Sequence, residues 1–194
     1  METTHEKIIR AAKVLFEKNG FTAATTKEIA DLAGVSEVTL FRHFSTKRAL
    51  FEETLHSCIH PYKVNEYIES SATYELETDL RNIARNMMET YGSNAPLLRM
   101  IMRDKFRESQ PEMMFKKNEH KAENRLLEYF VTMHKMGRLG PDPKMAIKFY
   151  MTNLTGYFMR NLFTQVEGIR FEDSDYFEWM LGAVITVLKP KGVQ

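Results

Sequence analysis

The chain has one cysteine, Cys58, in 194 residues. A lone thiol closes no internal disulfide, which suits a reducing cytoplasm. The paired Cys and Cys/His spacings of a zinc finger are absent. No apolar run approaches the roughly 20 residues of a membrane span. The opening METTHEKIIRAAKVLF carries acids among its first residues and no signal-peptide pattern. The expectation is a cytoplasmic protein with no membrane partner. Six prolines and nine glycines leave long stretches for uninterrupted helices. Strand alternation, repeats and low-complexity segments are missing, and so is any recognised catalytic motif. No enzyme and no cofactor are expected. An excess of charge is missing too: the formal net charge is +1, which alone argues for no nucleic-acid partner. Its distribution is slightly uneven, with eight Lys/Arg against six Asp/Glu in residues 1–50 and 19 against 20 in the rest. Hydrophobic residues at 43% and charged residues at 27% fit an ordinary globule.

What is present centres on residues 25–44, TTKEIADLAGVSEVTLFRHF. Thr25 with Glu28 three residues later makes a capping box for one short helix, whose apolar face is Ile29, Ala30 and Ala33. Gly34 stands where a left-handed C-terminal residue is wanted. Ser36 caps a second helix, with Val35 and Leu40 at the two positions of a hydrophobic staple. A helix, a glycine-containing turn and a second helix form the helix-turn-helix pattern. Capped short helices also make plain corners in all-α domains. Here Leu40 and Phe44 suffice to bury the second helix, and Glu37, Thr39, Phe41, Arg42 and His43 remain for grooves and phosphates. In such a motif the N-terminal residues of the second helix face base edges in the major groove.

The run TTKEIADLAGVSEVTLFRHFSTKRALF resembles the DNA-binding signature of the TetR family of one-component bacterial regulators, over about Ile8 to Phe51. Val38, where the family often has Gly or Ala, and Phe41-Arg42, where it often has Tyr and a variable residue, depart from that pattern and alter the reading surface. The resemblance implies a homodimeric transcriptional regulator, usually a repressor, released from its operator by a small-molecule effector. It implies DNA contacts from Thr25, Thr26, Lys27, Ser36, Glu37, Val38, Thr39, Phe41, Arg42, His43 and Lys47. Lys47 falls in the first turn of a helix starting at Thr46, where the helix dipole disfavours a cation unless an anion such as a phosphate is near. The other class of reading is a helical dimerising protein whose helix-turn-helix serves protein contacts.

Elsewhere the periodicity is helical throughout. A first helix runs from Thr4 to Asn19, ended by Gly20. The helix from Thr46 ends near His60 and, starting beside the DNA-binding part, is the natural lever to the rest. Residues 61–73 have weak pattern and read as a connection. Helices follow over 76–91 and 97–106, separated by a break from Gly92 to Pro96, then from Pro111 to about Met136. The most apolar helix starts at Asp142 and runs to about Val166. After a loop around Gly168, a last helix runs from a Ser174 cap to Leu188. The fold expected is all-α with nine helices, divided into residues 1–48 for DNA binding and 49–194 for ligand binding and dimerisation.

Other constellations are weaker. Glu52, His56 and His60 at i, i+4, i+8 could ligate a metal, but no fourth ligand is evident and a polar stripe suffices. The chain has 13 Met, 13 Phe and 8 Tyr. Met87, Tyr91, Met102, Phe130, Met133, Phe149, Asn153 and Tyr157 are candidates to line an effector cavity, because methionine fills adaptable apolar sites, although any one of them could equally be core. Met151, Leu154, Phe158 and Leu162, with the small residues Gly182, Ala183 and Thr186, are the candidate dimer interface: a helix apolar nearly all round needs covering on both sides.

Overall fold

The structure is a computed structural model and describes residues 2–104, 110–163 and 174–190. Among these residues there are nine helices and no strand, and no helix is long and apolar enough to cross a membrane. The chain forms two compact units: Met1–His60 with Ser93–Lys117, and Pro61–Gly92 with Asn118–Gln194.

In the first unit α1 (Thr4–Ala23) is started by a capping box between Thr3 and Glu6. Its regular run is broken at Gly20, as expected, by a non-helical conformation (φ 80°, ψ 169°), and a short further helical stretch reaches Ala23. Then come α2 (Thr26–Ala33), α3 (Glu37–His43) and α4 (Lys47–Ser57). α1 packs on α2 and α4, and α2 on α3. Ile8, Ala12, Phe16, Ile29, Leu40, Leu50 and Phe51 are fully buried, with Phe16 edge-on to Phe51 at 4.9 Å. α4 lies wholly within this unit. Asn94 is buried here, donating to the His60 carbonyl at 2.9 Å and accepting from the His60 N–H at 2.8 Å.

α5 (Val64–Ser70), with Val64 and Ile68 buried, occupies the stretch expected to be a connection. α6 (Leu76–Asp104) is one helix through the expected break at Gly92–Pro96. Proline inside a helix costs about 3 kcal/mol. Buried side chains flank it on both sides, Met87 and Tyr91 before, Leu97 and Met100 after, and each such burial is worth about 1.5–3 kcal/mol. Burial therefore wins. The sequence break instead marks where α6 passes from one unit to the other, between Gly92 and Ser93.

α7 (Gln110–Lys135), α8 (Pro143–Phe163) and α9 (Ser174–Leu188) complete the chain. In the second unit α8 packs on α9 around buried Leu80, Phe130, Tyr150, Leu154, Leu181 and Leu188. Gly140 is required where the α7–α8 loop meets the end of α9: its N–H donates to the Leu188 carbonyl at 2.9 Å, and a Cβ there would sit 2.6 Å from the Lys189 oxygen. The expected loop around Gly168, the end of the preceding helix at Val166 and the capping side chain of Ser174 lie outside the described residues.

Candidate nucleic-acid interface

Thr25 builds the start of α2. Its hydroxyl accepts from the Glu28 N–H at 3.1 Å, while its own N–H and hydroxyl donate to the Glu28 carboxylate at 2.9 and 2.8 Å. Those donations, the backbone one foremost, hold the Glu28 carboxyl below the usual range. Gly34 then adopts the left-handed conformation at φ 70° that closes the helix. Ser36 accepts from the Thr39 N–H at 3.1 Å to start α3. Thr26 donates its hydroxyl to Glu37 across the turn at 2.5 Å, fixing α2 to α3.

Fixed in this way, α3 buries Leu40 and is followed by buried Phe44. Its other side is open: Val38 is 80% exposed and Phe41 44%, Arg42 and His43 are exposed, and Thr39 is half-buried. Side chains with a methyl pair, an aromatic edge and a planar guanidinium are what base edges select: thymine methyls for the apolar groups and guanine O6/N7 for Arg. The His43 ring lies 6.0 Å from His5 of α1, whose own ring is tilted against Phe44 at 4.8 Å and whose Nε2 lies 2.8 Å from the Glu53 carboxyl.

The remaining predicted contacts divide by geometry. Lys27 is exposed on α2. Lys47 is half-buried: its Nζ donates to the Thr22 carbonyl at 3.3 Å and sits 4.7 Å over the Phe21 ring. That pairing, invisible in the sequence, holds the cation at the first turn of α4. Glu52 is tied to Arg48 at 2.9 Å, and His60 lies beyond the end of α4, so the expected polar stripe is not one continuous face.

The candidate effector residues are not brought together as one lining. Met87, Tyr91, Phe130 and Met133 are core residues of the second unit. Asn153 and Tyr157 are half-buried, Phe149 is 39% exposed, and Met102 belongs to the first unit and is 49% exposed. The candidate dimer residues split too. Met151, Leu154 and Phe158 are buried inside their own unit, which corrects the stripe expected to face a partner; Leu162 and Gly182 are half-buried, and Ala183 and Thr186 are exposed. The outward faces are Met145, Phe149 and Gly156 on α8 and Tyr176, Trp179, Ala183 and Val187 on α9. The protomer's own core takes Ala146, Tyr150, Met151, Leu154 and Phe158 from α8.

Residues 8–54 match the family model described as bacterial regulatory proteins, tetR family. An uncharacterized HTH-type transcriptional regulator, YvkB of Bacillus subtilis (strain 168), is 31% identical over 170 residues, covering 84% of this chain and 85% of its own. The HTH-type transcriptional regulator QacR of Staphylococcus aureus is 50% identical over 50 residues, 26% of this chain and 27% of its own. Among solved structures, NalD of Pseudomonas aeruginosa, the secondary repressor of the MexAB-OprM multidrug efflux pump, superposes with a TM-score of 0.60 at 22% identity, covering 97% of each chain.

Proposed function

This chain belongs to the tetR family of bacterial regulatory proteins and is a DNA-binding transcriptional regulator; we propose that it works in the cytoplasm as a homodimeric repressor that leaves its operator when a small molecule binds. The observation that carries the DNA-binding half is the open face of α3, held rigidly by two caps and the Thr26–Glu37 bond. Val38, Thr39, Phe41, Arg42 and His43 are the reading residues, and Lys27 and Lys47 with the α2 start meet phosphates. Residues 1–48 form the DNA-binding part in this reading, and 49–194 carry effector binding and dimerisation. QacR and NalD support the regulator and repressor readings. The exposed aromatic faces of α8 and α9 support the dimer, because monomers rarely leave such surface bare.

Arg42 and Lys47 are expected to fail differently. Arg42→Ala should cost about 1–3 kcal/mol of operator affinity and relax specificity at one base of each half-site. Fluorescence anisotropy on a panel of single-base operator variants reads this directly. Unchanged affinity would remove Arg42 from the reading face.

Lys47→Ala should weaken every duplex about equally and lower the slope of log affinity against log salt by roughly 1. A loss confined to one base position would make Lys47 a sequence reader instead. Each titration also separates repressor from protein-contact reading, since the latter leaves DNA affinity unmoved in both variants.

A further inference from the structure

We propose that His5 of α1 is a positioning residue for operator readout: braced by Glu53 of α4, its ring sets the aim of His43 at the end of the reading helix; this rests on the assignment of His43 to the reading face above. All of these residues belong to the first unit. The Thr3–Glu6 capping box fixes the start of α1, and so places the His5 backbone two residues past the cap. From there the His5 ring reaches Phe44, with centroids 4.8 Å apart at 32°, and His43, 6.0 Å away at 66°. His43 and Phe44 lie 6.4 Å apart at 42°. The three rings close a triangle, each side within the roughly 4.5–7 Å of an aromatic contact. Phe44 is 2% exposed and fixed by the core. His5 is held at its other edge, where Nε2 lies 2.8 Å from the Glu53 carboxyl.

His43 is exposed and is the last residue of α3. Phe44 after it is extended (φ −130°, ψ 112°), so no further helical turn steers the imidazole. A side chain ordered only on binding loses rotamer freedom at that moment, whereas one already set in place loses less. Phe44 bounds the His43 ring on one side and His5 on another. The 66° angle brings the edge of one imidazole toward the face of the other, the arrangement that ring quadrupoles favour. The His5 and Glu53 side chains are 40% and 51% exposed. An ion pair so exposed adds little to stability. Removing it leaves the fold in place and frees the rings.

The test uses a duplex enriched from a random pool by the unsubstituted full chain, with affinities read by fluorescence anisotropy. His5→Ala should bind it about 2- to 10-fold more weakly, the worth of one aromatic contact. In a His43→Ala background the same substitution should have no effect, because the ring it aims is gone. A general loosening of the unit, or a phosphate contact by His5 itself, would instead add to the His43 loss. Glu53 gives a second route that leaves His5 in place. Glu53→Gln and Glu53→Ala lose the same charge, but only Gln keeps an acceptor for the His5 ring. The Ala variant should bind about 2- to 5-fold more weakly than the Gln variant, and the difference should vanish in His43→Ala. Losses that add in the double variant, undiminished affinity in His5→Ala, or equal affinities of the two Glu53 variants would overturn the role. The base reading is scored separately by selection from the random pool. His5→Ala and His43→Ala should relax one and the same position of each half-site. Coupled losses with no relaxed position make His43 a phosphate contact, which sinks its base reading and leaves His5 its positioning role. A chain that enriches no duplex overturns both.

Discussion

A Trp179→Glu variant is expected to run as a monomer and to lose most of its operator affinity while keeping its helical content. Trp179 is 69% exposed on α9 in the single chain, so the protomer's own fold does not depend on it. It lies beside Tyr176, ring centroids 6.0 Å apart, and in line with Ala183 and Val187 along the same face. In a two-fold dimer the same patch meets itself, so the substitution brings two carboxylates together where two indoles would be. Central aromatic anchors of interfaces carry about 2–4 kcal/mol, a change of about 30- to 1,000-fold in dimer dissociation. A monomer engages only one half-site, and operator affinity falls with the dimer. Light scattering and anisotropy on the same samples read both effects. A dimer of undiminished stability would place the interface elsewhere on the chain.

Asp79→Ala is expected to destabilise the second unit by at least about 3 kcal/mol in chemical denaturation, without any loss of charge pairing. Asp79 is fully buried in the first turn of α6. Its Oδ1 accepts from the Thr73 N–H, the Thr73 hydroxyl and Tyr67; its Oδ2 accepts from the Tyr74 N–H and Tyr129. One carboxylate thus gathers α5, the turn before α6, and α7. The Tyr129 hydroxyl is the fully buried donor of the five and the other four are partly buried; a buried donor left without an acceptor costs about 1–3 kcal/mol, a partly buried one less, with incomplete additivity. Tyr74 adds to this: it stands at φ 59°, a conformation that costs a bulky residue about 1–3 kcal/mol, and its N–H bond to Asp79 helps hold it there. Tyr129→Phe, which removes one donor and leaves the acceptor, should cost only about 1 kcal/mol. If Asp79→Ala unfolds in the same denaturant range as the unsubstituted chain, the network is not what orders this unit.

The DNA-binding elements were legible because their signals are local. Thr25 with Glu28, Gly34 and Ser36 act within a few residues of themselves, and the structure shows each bond they imply. The family resemblance over the same stretch added which face would read DNA. Where the outcome depended on distant chain, local signals misled. Gly92 and Pro96 read as a break, but buried side chains on either side outweigh them and α6 runs on. Residues 61–73 lacked pattern because a helix as short as α5 shows only two buried positions, Val64 and Ile68. The apolar richness of α8 was visible, but which of its residues its own core would take was not. Asp79 gave no signal at all, since an acid in a helix's first turn is ordinary. The nearby Tyr67, Tyr74 and Tyr129 acquire meaning only once the fold brings them to it.

Selection of bound duplexes from a random DNA pool, using the full chain, tests most directly whether α3 reads sequence in a dimer. The enriched duplexes should share an inverted repeat whose half-site centres lie about 34–36 Å apart, one turn of B-DNA. The Arg42→Ala chain should select the same repeat with one position in each half relaxed. A pool that stays random after selection, bound only through its phosphates, would contradict the assignment of α3 as the reading helix.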